Sequence, residues 1–250
     1  MSNRRTSIIL NYLKEETTMK FKDICALFPD YNEMTIRRDL ILLEKNGYII
    51  RTHGGARIKE EGMSEMLSYS NRRATMIEEK RQIAVKASQL LKEKILIFLD
   101  ASTTNFEFAK IMPDITLFVA TNCPFICIEL AKKKNIDVIM VGGMLNKSAV
   151  SVSGKEFMRF LDANINIAFM GTAGFTMEHG FSDAHISESE FKKYIVSAAE
   201  KTVILMDHSK IGEDMQFVFA KLSDIDEIIS DKPFEEQIIE ELRNNNITAH

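Results

Sequence analysis

The 250-residue sequence predicts two parts: a short helical module closed by a β-hairpin, then an open α/β domain built on a mostly parallel sheet. Three observations carry that expectation. Apolar residues recur at helical spacing in three successive segments and then give way to a strand pair around two glycines. Further on, short apolar runs rich in β-branched residues alternate with helical segments, the pattern of strands buried on both faces. Charge is divided as well: residues 1–60 carry 11 Lys+Arg against 8 Asp+Glu, whereas the remainder carries 21 against 28. A mildly basic head on an acidic body lets the head alone approach a polyanion.

Composition excludes several classes. No apolar run reaches the roughly 18 residues of a membrane helix, and the amino-terminal Met-Ser-Asn-Arg-Arg leads into an amphipathic pattern, so the expected location is cytoplasmic. Cys25, Cys123 and Cys127 lack metal-ligand or paired spacing and read as reduced structural thiols, with neither metal nor disulfide expected.

In the head, Ile8, Ile9, Tyr12 and Leu13 mark a first helix. Phe21, Ile24, Cys25, Leu27 and Phe28 mark a second that stops near Pro29. Asn32 can cap a third. On that helix Ile36, Leu40 and Leu43 share one face, Met34, Arg38, Ile41 and Lys45 point away from it, and Arg37 lies on the flank. Gly47 ends the helix. Tyr48–Arg51 then reads as a strand, His53-Gly54-Gly55 as a tight turn whose glycines permit positive φ, and Ala56–Lys59 as the return strand.

This order of elements is that of a winged helix-turn-helix. The first turns of the third helix would enter the major groove, where Arg37 and Arg38 can pair with guanine edges or phosphates and Thr35 can meet a phosphate or a thymine methyl. Arg51, His53 and Arg57 would line a wing at the DNA backbone. The competing reading makes both arginines solvated partners of Glu33, Asp39 or Glu44; the capped helix followed by a basic Gly-Gly hairpin favours double-stranded DNA.

Residues 60–76, from Glu60-Glu61-Gly62-Met63 onward, lack a period and read as a hinge, which divides the chain into a module at 1–59 and a body at 77–250. A helix is expected over Glu78–Lys92, with Ile83, Val85, Ala87, Leu90 and Leu91 as its apolar positions. Strands are expected at Ile95–Leu99, Ile115–Ala120, Asp137–Val141, Ile165–Met170, Thr202–Met206 and Ile225–Ser230, and a last helix at Glu235–Asn244.

Ligands of such sheets collect at the strands' carboxyl ends. The first strand runs into Asp100-Ala101-Ser102-Thr103-Thr104-Asn105 and a helix over Phe106–Ile111, which suits either a bound phosphate or a plain helix cap. Thr121-Asn122, Gly142-Gly143, Gly171-Thr172-Ala173-Gly174 and Asp207-His208-Ser209-Lys210 follow other strands. Five such ends together favour a pocket for a small polar ligand. Lys192 is placed at a helix start, where its ammonium either reaches a phosphate or pairs with Glu188 on the surface.

The segments T-I-R-R-D-L-x-x-L-E and R-T-H-G-G-A, followed in order by D-A-S-T-T, T-N, G-G, G-T-A-G, E-x-E-F-K and D-H-S-K, closely resemble DeoR-family transcriptional regulators along nearly the whole chain. Asn32 stands where that family usually has serine, and Ser102 where many members have glycine. The resemblance implies an effector domain similar in fold to sugar-phosphate isomerases and deaminases, with a phosphorylated sugar as effector and no cofactor. Asp100, Ser102, Thr103 and Thr104 would form the phosphate side, and Thr121, Asn122, Gly142 and Gly143 the opposite wall. Lys192, Asp207 and Lys210 would supply the remaining polar contacts, while Tyr69, Arg72 and Lys80 dock the linker. The expected activity is regulation of a carbohydrate operon, most often repression, by a homo-oligomer, dimer or tetramer, without catalysis. Two alternatives stand beside it: a sugar-phosphate isomerase or deaminase using Asp100, Asp183, His185, Lys192 and His208, and a constitutive DNA-binding protein whose body only oligomerises.

Overall fold

A computed structural model describes residues 2–45, 48–58, 69–153 and 164–250. Gly47, Lys59 and the hinge sequence from Glu60 to residue 68 lie outside the described residues. The chain forms two compact units, Met1–Thr75 and Met76–His250.

The first unit contains α1 (Ser2–Glu16), β1 (Thr18–Lys20), α2 (Phe21–Ala26), α3 (Glu33–Lys45), β2 (Ile49–Thr52) and β3 (Gly55–Ile58). Its core is Ile9 and Leu13 of α1, Ile24 and Phe28, Ile36, Leu40 and Leu43 of α3, and Ile49 and Ala56 of the hairpin. Tyr12, expected on the apolar face of α1, is exposed. Asn32 caps α3, its Oδ1 accepting from the Thr35 amide at 2.9 Å. Asp39 is buried in the same helix and is held by Arg5 of α1, whose Nε donates to Oδ2 at 2.7 Å. This contact docks the first helix on the third.

The hairpin is three-stranded, in the order β1-β3-β2. The strand β1 is too short to show a period in the sequence. Its presence corrects the expected role of the glycines: neither Gly54 nor Gly55 has a positive φ, and the positive-φ glycines among the described residues are Gly143, Gly180 and Gly212. Gly55 is needed instead for close approach, because a Cβ there would collide with the Met19 carbonyl of β1.

The second unit begins with α4 (Ile77–Ser88), shorter than expected, on which Ile83, Ala84 and Ala87 are buried and Val85 is exposed. There follow β4 (Leu96–Leu99), α5 (Thr103–Ile111), β5 (Leu117–Thr121), α6 (Pro124–Leu130) and β6 (Ile136–Met140). A hairpin of β7 (Met144–Asn146) and β8 (Ser151–Ser153) precedes β9 (Ile167–Gly171). After β10 (Gly174–Thr176) and β11 (Gly180–Asp183) come α7 (Ile186–Ala198), β12 (Thr202–Leu205), β13 (Phe217–Ala220), β14 (Glu227–Ile229), α8 (Glu236–Asn244) and β15 (Thr248–Ala249).

Seven strands form one parallel sheet in the order β15-β14-β12-β9-β4-β5-β6. Side chains of α4, α5 and α6 pack on one face, with Phe108 edge-on to Phe169 at a centroid distance of 5.0 Å. Those of α7 and α8 pack on the other, where Phe98 meets Phe191. A small antiparallel sheet, β10-β11-β13, lies against α7. The chain leaves β4 toward β5 and β6, then returns to β9 on the other side of β4. The strand order therefore reverses between β4 and β9, and the rule for open α/β sheets puts the ligand crevice at their carboxyl ends.

Gly55→Ala should force β1 away from β3 and open the amide of Phe21, which donates to the Gly54 carbonyl at 2.8 Å. Amide hydrogen exchange checks this: faster exchange at Phe21 is expected, and wild-type protection would contradict the steric account.

Candidate functional site

In the amino-terminal unit, Arg37, Arg38, His53 and Arg57 are exposed, on α3, the hairpin turn and β3. Two expected contacts are modified. The Thr35 hydroxyl donates to Asn32 Oδ1 at 2.9 Å, so its proton serves the cap. Arg51 is held by Glu44, its Nε donating to Oε2 at 2.6 Å and its amide to Oε1 at 2.9 Å. That bidentate arrangement ties β2 to α3 and pulls the Glu44 carboxyl below its usual range.

In the second unit, the five strand ends singled out in the sequence belong to five consecutive neighbours, β12-β9-β4-β5-β6. At the point of reversal Asp100, buried after β4, accepts at Oδ1 from the Ser102 amide at 3.0 Å and the Asn105 side-chain amide at 2.7 Å. Its Oδ2 accepts from the Gly171 amide of β9 at 2.9 Å. Ser102 caps α5, its Oγ accepting from the Asn105 amide at 3.1 Å. The first-turn amides of Thr103 and Thr104 have no intrahelical acceptor. A Cβ on Gly171 would collide with the Ser102 side chain. The serine that departs from the resembling family thus needs a glycine opposite it.

Lys192 does not lie at a helix start. It is in the middle of α7 and buried, because its ammonium reaches back to the sheet. Nζ donates to the Gly171 carbonyl at 2.8 Å and to Asp183 Oδ2 at 2.7 Å, and stands 3.2 Å from Asp100 Oδ2. It also lies 4.9 Å from the centre of the Phe219 ring. Burial alone would lower the lysine pKa, but Asp183 and Asp100 outweigh it and raise it. Burial would likewise raise Asp183, and Lys192 holds it below the usual carboxylate range. Neither the phosphate contact nor the surface pair expected for Lys192 describes this arrangement. It is a buried cation joining β4, β9, β11 and α7.

Glu188, one turn earlier on α7, is also buried, and burial raises its pKa. It accepts from the Ser151 hydroxyl of β8, and from the Asn146 amide of β7 at 3.3 Å. The same hairpin is fixed to the sheet by the Val152 amide, which donates to the Asn122 carbonyl at 2.8 Å. Thr121 and Asn122 are buried, with Thr121 Oγ1 accepting from the Cys123 amide at 3.1 Å. Gly142 and Gly143 make the link from β6 into the hairpin, Gly143 at φ 140°. Asn105 Oδ1 and Asn122 Oδ1 are buried acceptors with no donor among the described residues.

Asp207 follows β12 and caps a short 3-10 turn, accepting from the Ser209 amide at 3.0 Å, while Lys210 in that turn is half-buried. His208 donates its amide to Asp231 Oδ1 at 2.7 Å, its Nδ1 lies 2.7 Å from Oδ2, and its Nε2 lies 3.0 Å from the Lys232 ammonium. His185 is exposed ahead of α7. Asn146 and Ser151 join this neighbourhood without any sequence motif; the β7–β8 hairpin brings them in. Of the expected linker group, Tyr69 is buried under the Arg72 guanidinium, 5.6 Å from the ring centre, and Lys80 is buried on α4. Among the described residues there is no group of three or more His, Cys, Asp or Glu able to hold a metal ion. No described helix is long and apolar enough to cross a membrane.

Lys192→Met would leave Asp100 and Asp183 buried without their cation and should cost about 3–5 kcal/mol in urea unfolding. A loss within the roughly 1 kcal/mol of an exposed pair would contradict the assignment. Glu188 has the opposite sign from Asp183. Its folded pKa is raised, so its contribution is complete below the ordinary glutamate value of about 4.3 and declines as pH rises through the folded value. Glu188→Gln should therefore remove part of the fall in stability above about pH 4.3, and parallel pH–stability profiles for the two proteins would refute this.

The chain matches the DeoR-like helix-turn-helix domain over residues 5–62 and the DeoR C terminal sensor domain over residues 75–232. It is 33% identical over 244 residues to the uncharacterized HTH-type transcriptional regulator YulB of Bacillus subtilis, covering 97% of this chain and 94% of that protein. It is also 33% identical over 229 residues to the HTH-type transcriptional repressor GlcR of the same organism, covering 91% and 88%. Among solved structures, ribose 5-phosphate isomerase A of Methanocaldococcus jannaschii aligns with 55% of each chain at 16% identity and a TM-score of 0.42. With one domain model on each unit and relatives at this identity along nearly its whole length, the chain belongs to the DeoR family of helix-turn-helix transcriptional regulators.

Proposed function

We propose that this regulator represses a carbohydrate-utilisation operon in the cytoplasm. It binds double-stranded operator DNA as a homo-oligomer, a dimer or a tetramer, and releases it when a phosphorylated sugar occupies the carboxyl edge of the parallel sheet. One observation carries the effector reading: at the reversal between β4 and β9, the Asp100–Thr104 loop opens α5 beside two buried side-chain acceptors, Asn105 Oδ1 and Asn122 Oδ1. Amides without intrahelical acceptors at a positive helix end suit a phosphate. Buried acceptors suit a ligand that brings hydroxyl donors. Thr103, Thr104, Thr121, Asn122, Gly142 and Gly143 are the assigned contacts, with Ser102 shaping the loop and Asp207 and Lys210 on the β12 side. Repression accords with the name of the relative GlcR.

Acid–base turnover is disfavoured by the way its candidate groups are occupied. Lys192 is neutralised by Asp100 and Asp183, and His208 is fixed between Asp231 and Lys232. A general acid or base must instead exchange a proton with substrate.

The test is operator binding by fluorescence anisotropy, at fixed salt, against phosphorylated hexoses, pentoses and hexitols and their unphosphorylated parents. A coupling of about 1–3 kcal/mol weakens DNA affinity roughly 5–150-fold. One phosphorylated compound is expected to act and its parent sugar to fail. DNA binding indifferent to every compound would favour a body that only assembles, and conversion of the compound would restore the enzyme reading.

A further inference from the structure

Arg37 and Arg38 are adjacent in sequence but not in environment. The buried side chains Ile36, Asp39, Leu40 and Leu43 fix the inner face of α3. Arg38 then lies opposite the core, beside Met34 and Ile41, which are 63% and 47% exposed. Arg37 is turned about 100° from Arg38, onto the flank. There its guanidinium stacks 4.3 Å from the centre of the Phe21 ring. Phe21 is flanked in sequence by the exposed Lys20 and Lys22. These side chains, with Arg51 and the backbone at Gly54, line a concavity of about 550 Å³. Its walls are fixed: the Phe21 amide donates to the Gly54 carbonyl at 2.8 Å, and Glu44 holds Arg51.

We infer that this concavity is a seat for a DNA phosphodiester, and that the two arginines divide the work of recognition. Lys20, Lys22 and Arg37 hold the backbone, whereas Arg38, with Met34 and Ile41, meets the base edges. Stacking covers one face of the Arg37 guanidinium and leaves its in-plane N–H edge to a neighbouring anion. Lysine ammonium groups are point charges without the planar fork that matches guanine, and they suit phosphate. Direction agrees with chemistry. A helix lying in the major groove turns its outermost side chains to the base pairs and its flanks to the two backbones. Arg38 is the outermost arginine, and the exposed apolar neighbours Met34 and Ile41 suit thymine methyl groups.

The experiment uses the full chain and a duplex enriched from a random library by the wild-type protein, with a scrambled duplex as reference. Each neutralised phosphate contributes about 0.9 to the slope of log K against log salt. Arg37→Gln and Lys22→Gln should each lower that slope by about one phosphate's worth and weaken both duplexes by the same factor. Arg38→Gln should instead lose preference at one base pair, roughly 5–150-fold, because a bidentate base contact carries that range of discrimination. Phe21→Leu, which keeps every charge, should weaken binding without altering base preference. Lys22 is exposed and outside the core, so its variant keeps the test sound if Arg37→Gln unfolds the module. A wild-type slope for Lys22→Gln, or a changed base preference for Arg37→Gln, would overturn the assignment.

Discussion

The carboxy-terminal unit is organised around one buried ammonium. Lys192 comes from the middle of a helix on one face of the sheet and meets Asp100, Asp183 and the Gly171 carbonyl at the strand ends. Withdrawing a cation from water is costly, and only close carboxylates and complete hydrogen bonding offset it. Asp183 and the Gly171 carbonyl take the two short contacts of the ammonium, and Asp100 stands close beside them. By sign, Asp183 contributes above the ordinary aspartate value of about 3.9 and loses its contribution as pH falls through its lowered folded pKa. Lys192 contributes below the ordinary lysine value of about 10.4 and loses it as pH rises through its raised one. The Lys192–Asp183 pair is therefore intact across neutral pH, and the Asp100 loop is tied to it through Lys192 and the Gly171 amide.

The neighbouring contacts are of a different kind. Glu188, whose pKa burial raises, touches the β7–β8 hairpin through Ser151 and Asn146, while Asn122 holds the same hairpin by its carbonyl. On the proposed reading, one side of the effector pocket is a buried ion cluster and the other a hydrogen-bonded clasp. The identity of the sugar would then be read on the hairpin side and its phosphate at α5.

Much of this architecture is legible in the sequence because the parallel strands are continuous apolar runs and the head shows three helical periods. The expected strands fall within a few residues of β4, β5, β6, β9, β12 and β14. The short pieces are not legible. Thr18-Met19-Lys20 is three residues without alternation, yet its pairing with β3 is what requires Gly55. Glu188 and Lys192 at i,i+4 look like a solvated pair, and no local rule distinguishes that from two buried groups with separate partners. Asn146 and Ser151 carry no motif; their place is set by the β7–β8 hairpin. The Arg37–Phe21 stack is equally invisible, since it joins two helices across 16 positions.

The most direct measurement is amide hydrogen exchange on the DNA-free protein with and without the phosphorylated sugar that releases operator. The account predicts slowed exchange at residues 100–105, 121–122 and 142–153, around the reversal and its hairpin. Protection confined to other segments, or none at a concentration that releases DNA, would contradict a pocket at the carboxyl edge of the sheet.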